Sequence, residues 1–199
     1  MKITIWSSKG GSTKTHIALC LWELLQKKTK KQFGVITNDV YTDLESKIPH
    51  KQLLKIAVNE DIPIVDDNII YDLGGYIDSR CLNTIKESDI VIIPTIPSVI
   101  YLSSHLSSIK EVQKVNKNIV QVINRTKKND FNEIQQFLQQ NGIKYPCFEV
   151  KESKVISNIF EKGLTITKQL ENGLFNPYSK KAIEQLNSIA DFIIKEMKG

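Results

Sequence analysis

Two lysines, a threonine and two aspartates hold the chemistry of this chain. The stretch "WSSKGGSTKTHIAL", residues 6–19, reads as a phosphate-binding loop of the general form GxxxxGK[ST], with Gly10 in the loop and Lys14 and Thr15 closing it. In such a loop the backbone N–H groups of residues 10–15 point at phosphate oxygens, and the start of the following helix adds its positive end. Lys14 is placed against the β- and γ-phosphates, and the Thr15 hydroxyl is offered to Mg²⁺. Gly11, Ser12, Thr13 and His16 complete the candidate loop. Thr13 stands where the general form has glycine. Threonine lacks glycine's freedom at unusual backbone angles; it is a reasonable first helical residue if the angles are ordinary, and the expected effect is a site that is tuned and not lost. The plainer alternative is a glycine-containing strand-to-helix turn with incidental lysines.

The carboxylates follow apolar runs. Asp72 ends Ile69, Ile70 and Tyr71, and an aspartate at the end of a buried strand is costly without a partner. A Mg²⁺ ion held through water at a nucleotide site supplies one. Gly75, two residues beyond Leu73, brings a backbone N–H toward a γ-phosphate. Asp39 follows Val35, Ile36 and Thr37 and is placed to orient or deprotonate an attacking water. A carboxylate of low pKa mostly positions that water, so slow turnover is expected. Each aspartate also reads as a plain strand-end cap.

These residues need elements that deliver strand ends to one edge. "MKITIW" reads as a strand, "KTHIALCLWELLQKK" as a helix, and "FGVITND" as a strand ending at Asp39. Residues 43–58 read as one or two short helices broken near Pro49. "NIIYDLGG" is a strand, 78–88 a helix capped by Asp78 or Ser79, and "DIVIIPTIP" a buried strand stopped by Pro94. A helix around 98–115, the strand "NIVQVINR", a helix over 130–140 and a last strand "YPCFEV" follow, and the tail forms a long amphipathic helix from about Ser179. Alternating strands and helices with near-continuously apolar central strands predict an α/β fold, a mostly parallel sheet with helices on both faces, in a single domain over 1–199. Ligands in such sheets bind at the carboxyl ends of strands, which selects residues 7–15, 39, 72–75, 94–97 and 124–126.

The 199 residues are 41% hydrophobic and carry a net charge of +5, which permits an anionic partner without requiring one. Cys20, Cys81 and Cys147 form no CxxC pair, so neither a metal site nor a disulfide framework is expected, and a reduced, cytoplasmic setting is. Lys9 and Lys14 interrupt the first apolar stretch, against a signal peptide. No run approaches the length of a membrane span.

"KGGSTKT" resembles the deviant Walker A motif, KGGxGK[ST], of the ParA/MinD ATPases in the SIMIBI class of P-loop proteins. "VITNDVY" at 35–41 is similar to that family's hhDxDPQ segment. Asp39 matches its second aspartate, Thr37 replaces the first, and Val40 and Tyr41 replace Pro and Gln. "IIYDLGG" is similar to the Walker B strand. "ESDIVIIPTIPSVIYL" resembles a further family segment at Asp89, Pro94, Pro97 and Ser98, and "VINRT" at 122–126 resembles a strand end near the nucleotide base. The likeness spans essentially the whole chain. It implies a P-loop NTPase fold binding ATP and Mg²⁺, with Lys9, Lys14 and Asp39 as catalytic residues and Thr15 and Asp72 at the metal. Lys9 would cross the interface of a homodimer formed with ATP, and Asn124 and Arg125 would lie near the adenine. His16 replaces a common Thr or Ser and is expected to pack beside the loop helix.

Within the family, no cysteine pair suits a cluster-binding member. The tail helix carries no basic extension for a membrane, so membrane binding is not expected. A plasmid-partition ATPase remains, cytoplasmic and nucleoid-associated, gripping double-stranded DNA without sequence preference and released by a separate centromere-binding adaptor. Lys151, Lys154, Lys180, Lys181, Lys195 and Lys198 are the candidate DNA contacts. The alternatives are an ATP-binding regulatory or scaffold protein that does not hydrolyse, and a MinD-like membrane-positioning ATPase.

Overall fold

The computed structural model describes residues 1–40, 42–57, 59–75, 78–163, 165–171 and 177–197. Tyr41 and Lys198 lie outside them. The strands are β1 (Lys2–Ile5), β2 (Gly34–Thr37), β3 (Leu53–Lys55), β4 (Ile69–Asp72), β5 (Ile90–Thr95), β6 (Ile119–Thr126) and β7 (Cys147–Lys151). They form one sheet in the order β3-β2-β4-β1-β5-β6-β7, every pairing parallel. The helices are α1 (Lys14–Thr29), α2 (Ser79–Lys86), α3 (Val99–Val112), α4 (Asp130–Gln140), α5 (Lys154–Lys162), α6 (Ile166–Glu171) and α7 (Pro177–Glu196).

The apolar runs are continuous because both sheet faces are covered. Ile3, Ile5, Val35, Ile70, Ile90, Ile92, Val120 and Val122 pack with α1, α5 and α7. Their neighbours Ile36, Ile69, Tyr71, Val91, Ile93, Ile119 and Ile123 pack with α2, α3 and α4 on the other face. The fold is therefore the expected α/β one, of the P-loop type with β1 at its centre. No helix among the described residues is long and apolar enough to cross a membrane.

Two expectations about elements are corrected. Residues 43–58 hold a short 3₁₀ turn, His50–Gln52, and then β3 in place of helices; Leu53, Leu54 and Lys55 pair with Val35, Ile36 and Thr37 at the sheet edge. Pro94 does not stop β5, which continues through it to Thr95. The Ile92 carbonyl accepts from Trp6 N on the β1 side. Two residues on, Pro94 turns to that same side, where the β1 pairing has ended, so its missing N–H has no ladder partner to lose.

The sequence pattern also passed over α5 and α6. Ser153 caps α5 by accepting from Val155 N, and Gly163 ends it at φ 62°. Glu23 on α1 accepts from Ile166 N and Thr167 N, both at 2.8 Å, and so ties the start of α6 to the loop helix. Glu23→Ala is expected to cost about 1–3 kcal/mol, since two amides lose a charged acceptor. Urea unfolding measures it, and limited proteolysis should open the 163–171 region first. An unchanged midpoint would mean that α6 holds without the carboxylate.

Candidate nucleotide site

β1 lies between β4 and β5, so the chain leaves the middle of the sheet at Trp6 and enters α1 at Lys14. The intervening loop sits at the topological switch point, the place where such sheets bind ligands. Ser7 closes its base by donating to Ser12 Oγ at 2.6 Å. Gly11 has φ 74°, a conformation glycine adopts without strain, and the Tyr101 hydroxyl lies 2.8 Å from where a Cβ would stand, so a side chain here would displace the end of that tyrosine. A cavity of ≈ 650 Å³ is lined by every residue from Gly10 to His16 together with Asp39, Gly75, Tyr101 and Arg125. No side-chain hydrogen bond caps α1, which leaves the amides of Lys14 and Thr15 for a ligand.

Lys14 is 8% exposed, and its Nζ lies 3.4 Å from the Lys9 carbonyl. Burial lowers its pKa, opposed by the charges of Asp72 and Asp39. Thr15 Oγ1 donates to Asp72 Oδ2 at 2.7 Å. Asp72 Oδ1 is buried without a hydrogen-bond partner among the described residues. A hydroxyl and a carboxylate oxygen in contact, beside a second carboxylate oxygen lacking a partner, fit a hard divalent cation held through Thr15 and, by way of water, Asp72. A Cβ at Gly75 would lie 3.0 Å from the Ser8 carbonyl oxygen, so a side chain there would crowd the loop. The His16 ring is pushed down to about 4 by burial and then by Arg125, so it is neutral near pH 7.

The condition of ordinary angles at Thr13 is not met. Its φ and ψ are 70° and 21°, the left-handed region, and it is the N-cap of α1 and not its first residue. For a β-branched residue this costs on the order of 1–3 kcal/mol unless the surroundings hold it. Asn124 is fully buried, and its Nδ2 donates to Thr13 Oγ1 at 2.9 Å. Arg125 is exposed at the cavity edge with φ 58°. Lys9 is half-buried, its ammonium 5.9 Å from the Tyr101 ring centroid.

The five candidate lysines among the described residues do not form one patch. Lys151 is bound to Glu149 at 2.7 Å and to the Lys127 carbonyl at 2.9 Å. Lys154 opens α5 and lines a cavity with Arg125. Lys180 and Lys181 are exposed near the start of α7, whereas Lys195 lies about 22 Å further along that helix at 1.5 Å per residue. Lys198 is outside the described residues.

Asn38 and Tyr101 escaped sequence reasoning, and Ser7 and Ser8 fell within the selected span 7–15 without a role of their own. Ser8 binds Ser108 of α3 through both its N–H and its hydroxyl, each at 3.0 Å. Asn38 Oδ1 accepts from Gly74 N at 2.6 Å, joining the segment of Asp39 to that of Gly75. Only Ser8 carried a signal, because it occupies the first position of the eight-residue loop form.

No family model matches the sequence, and no curated protein does. Solved structures do. A plasmid partition protein from Borrelia burgdorferi superposes with TM-score 0.60 at 20% identity, covering 98% of each chain. A ParA family ATPase from Chlorobium tepidum gives 0.65 at 16%, over 93% of this chain and 97% of that one. The MinD of Pyrococcus horikoshii, complexed with Mg-ADP, gives 0.64 at 13%, over 96% and 95%. The chain has the ParA/MinD fold. The resemblance read from "KGGSTKT" and "IIYDLGG" is thus matched by a likeness of fold along the whole chain.

In this ParA/MinD fold the position of Asp72 costs stability. Burial raises its carboxyl from 3.8 to about 6, with Asp39 adding to the rise and Thr15 and Lys14 opposing it. Between about pH 4 and 6 the folded protein keeps a proton that the unfolded chain has lost, so stability falls as pH rises through that window. The Asp72→Asn protein is expected to be roughly 1–3 kcal/mol more stable than the parent at pH 7 without ligands, with no such gain below pH 4. His16 and His105 work the other way: burial pushes both to about 4, so they lower stability as pH falls from 6.5. Asp72→Asn should therefore steepen the acid-side loss. Urea unfolding at pH 4, 5.5 and 7 measures both effects, and a parent as stable as the variant at pH 7 would contradict the buried charge.

Proposed function

We propose that this protein is an ATPase of DNA partition. It binds ATP with Mg²⁺, forms a homodimer in that state, holds double-stranded DNA without sequence preference, and lets go after hydrolysis stimulated by a separate adaptor. The carrying observation is the contact of Thr15 with Asp72, with Thr15 and Lys14 part of the run Gly10–His16 that lines one cavity.

When bound, ATP would supply the phosphoryl group and Mg²⁺ would offset phosphate charge. Lys14, already partly desolvated, offsets phosphate charge without further loss of hydration. Thr15 and Asp72 hold the cation. Asp39 lines the same cavity and orients the attacking water, so turnover is slow without the adaptor. Lys9, its ammonium 5.9 Å from the Tyr101 ring centroid, would meet the phosphates of a facing copy. A dimer doubles the lysines presented to DNA, which ties DNA binding to the nucleotide state. The apolar side of α7 is spent on the core, where Ile183, Leu186, Ile189, Ala190 and Ile193 are buried, and this favours DNA over a membrane as the anionic partner.

DNA binding and solution mass, measured with ATP, ADP and no nucleotide at 50 and 200 mM salt, test the proposal. An ATP-only dimer is expected, with DNA affinity falling about tenfold or more across that salt range and lost in Lys14→Ala. An ATP dimer indifferent to DNA would overturn the partition role, and liposome binding would then point to membrane positioning. Dimerisation with no detectable hydrolysis, even with adaptor, would leave an ATP-bound scaffold.

A further inference from the structure

Three non-glycine residues among those described have positive φ: Thr13 at 70°, Lys30 at 60° and Arg125 at 58°. Lys30 ends a helix, where this conformation is ordinary. The other two lie on different elements, and a single buried side chain touches both. Asn124 Nδ2 donates to Thr13 Oγ1 at 2.9 Å, and Asn124 Oδ1 accepts from Arg125 N at 2.8 Å. The two contacts fix the orientation of the amide, because the Arg125 N–H requires an oxygen and the Thr13 hydroxyl then receives the NH₂. Asn124 is 0% exposed and Thr13 6%, so neither group can turn to water in exchange for the contact.

We propose that Asn124 is a positioning residue for the phosphate loop: its amide holds Thr13 in the left-handed shape that a glycine would take unaided. This rests on the loop being the nucleotide site proposed above. The Thr13 hydroxyl has no cap bond to make in α1, and in this backbone conformation it serves as the tether point. The same amide fixes Arg125, which lines the loop cavity and also the neighbouring ≈ 420 Å³ cavity that reaches Ser153 and Lys154. The loop and that corner are therefore set by one side chain. A glycine at position 13 would make the tether unnecessary, and a side chain of threonine's shape without the hydroxyl would keep the strain and lose the support.

A double-mutant cycle tests this, read as affinity for a fluorescent ATP analogue and as melting temperature without nucleotide. Asn124→Ala is expected to weaken analogue binding about tenfold when residue 13 is threonine, and much less in a Thr13→Gly background. Thr13→Val, which keeps the shape, should match Asn124→Ala, and Thr13→Ser should restore the parent's behaviour. In the unliganded melts the same pattern is expected, with a fall of about 2–4 °C for Asn124→Ala that largely vanishes in the Thr13→Gly background. Equal losses in both backgrounds would overturn the proposal and place the Asn124 amide on the nucleotide or on the general core. Should the parent bind no analogue, the proposed function falls, while the melting cycle still decides the tether. Should Asn124→Ala not fold, Asn124→Leu, which keeps the bulk and can neither donate to nor accept from Thr13, takes its place in the cycle.

Discussion

The parallel pairing of β1 with β4 on one side and β5 on the other is the constraint on which the site depends. A strand enclosed in this way is buried on both faces, so Ile3 and Ile5 are fixed and the chain leaves the sheet at one place. Register then does the rest. Ile5 stands beside Asp72, which sets that carboxylate next to the first turn of α1. Thr37 also pairs with Asp72, and this brings the Asp39 segment to the same edge. A slip of one residue at β4 would turn Asp72 to the other face and separate it from Thr15.

Placing charge at that edge opposes stability. Lys14 and Asp72 are both nearly enclosed, and their attraction only partly offsets the lost hydration: the Asp72 carboxyl remains raised and the Lys14 ammonium lowered. The rest of the molecule carries this through two extensive apolar layers, one on each face. The arrangement is what a phosphate and metal site requires, because groups that are already desolvated need little reorganisation when a charged ligand arrives.

Element type was legible wherever burial dictated the pattern. β1, β2, β4, β5 and β6 are largely buried on both faces and mostly apolar; α1 and α7 show helical spacing over many residues. β3 was not legible, because an edge strand of three residues with Leu54 half exposed carries no periodic signal. Pro94 misled because its effect depends on where the neighbouring strand ends, which is tertiary information. Of the site, Lys14, Thr15, Asp39, Asp72 and Gly75 converge on one edge, since each follows or ends a strand. Lys195 lies far along α7 from the other lysines because charge alone does not say which end of a helix faces a ligand.

Thr13 shows why a motif departure cannot be judged within the motif. Position 13 takes left-handed angles in this chain as a glycine would, so the backbone requirement survives the change of residue. What changed is how it is met, and the means lies 111 residues away in Asn124. A threonine held by a buried amide leaves the loop fewer alternative shapes than a glycine does, because glycine visits both signs of φ freely. The substitution therefore trades a residue that permits the phosphate-binding shape for a pair that enforces it. A loop shaped in advance loses less entropy when it closes on phosphate, and it adjusts less readily when the γ-phosphate is lost.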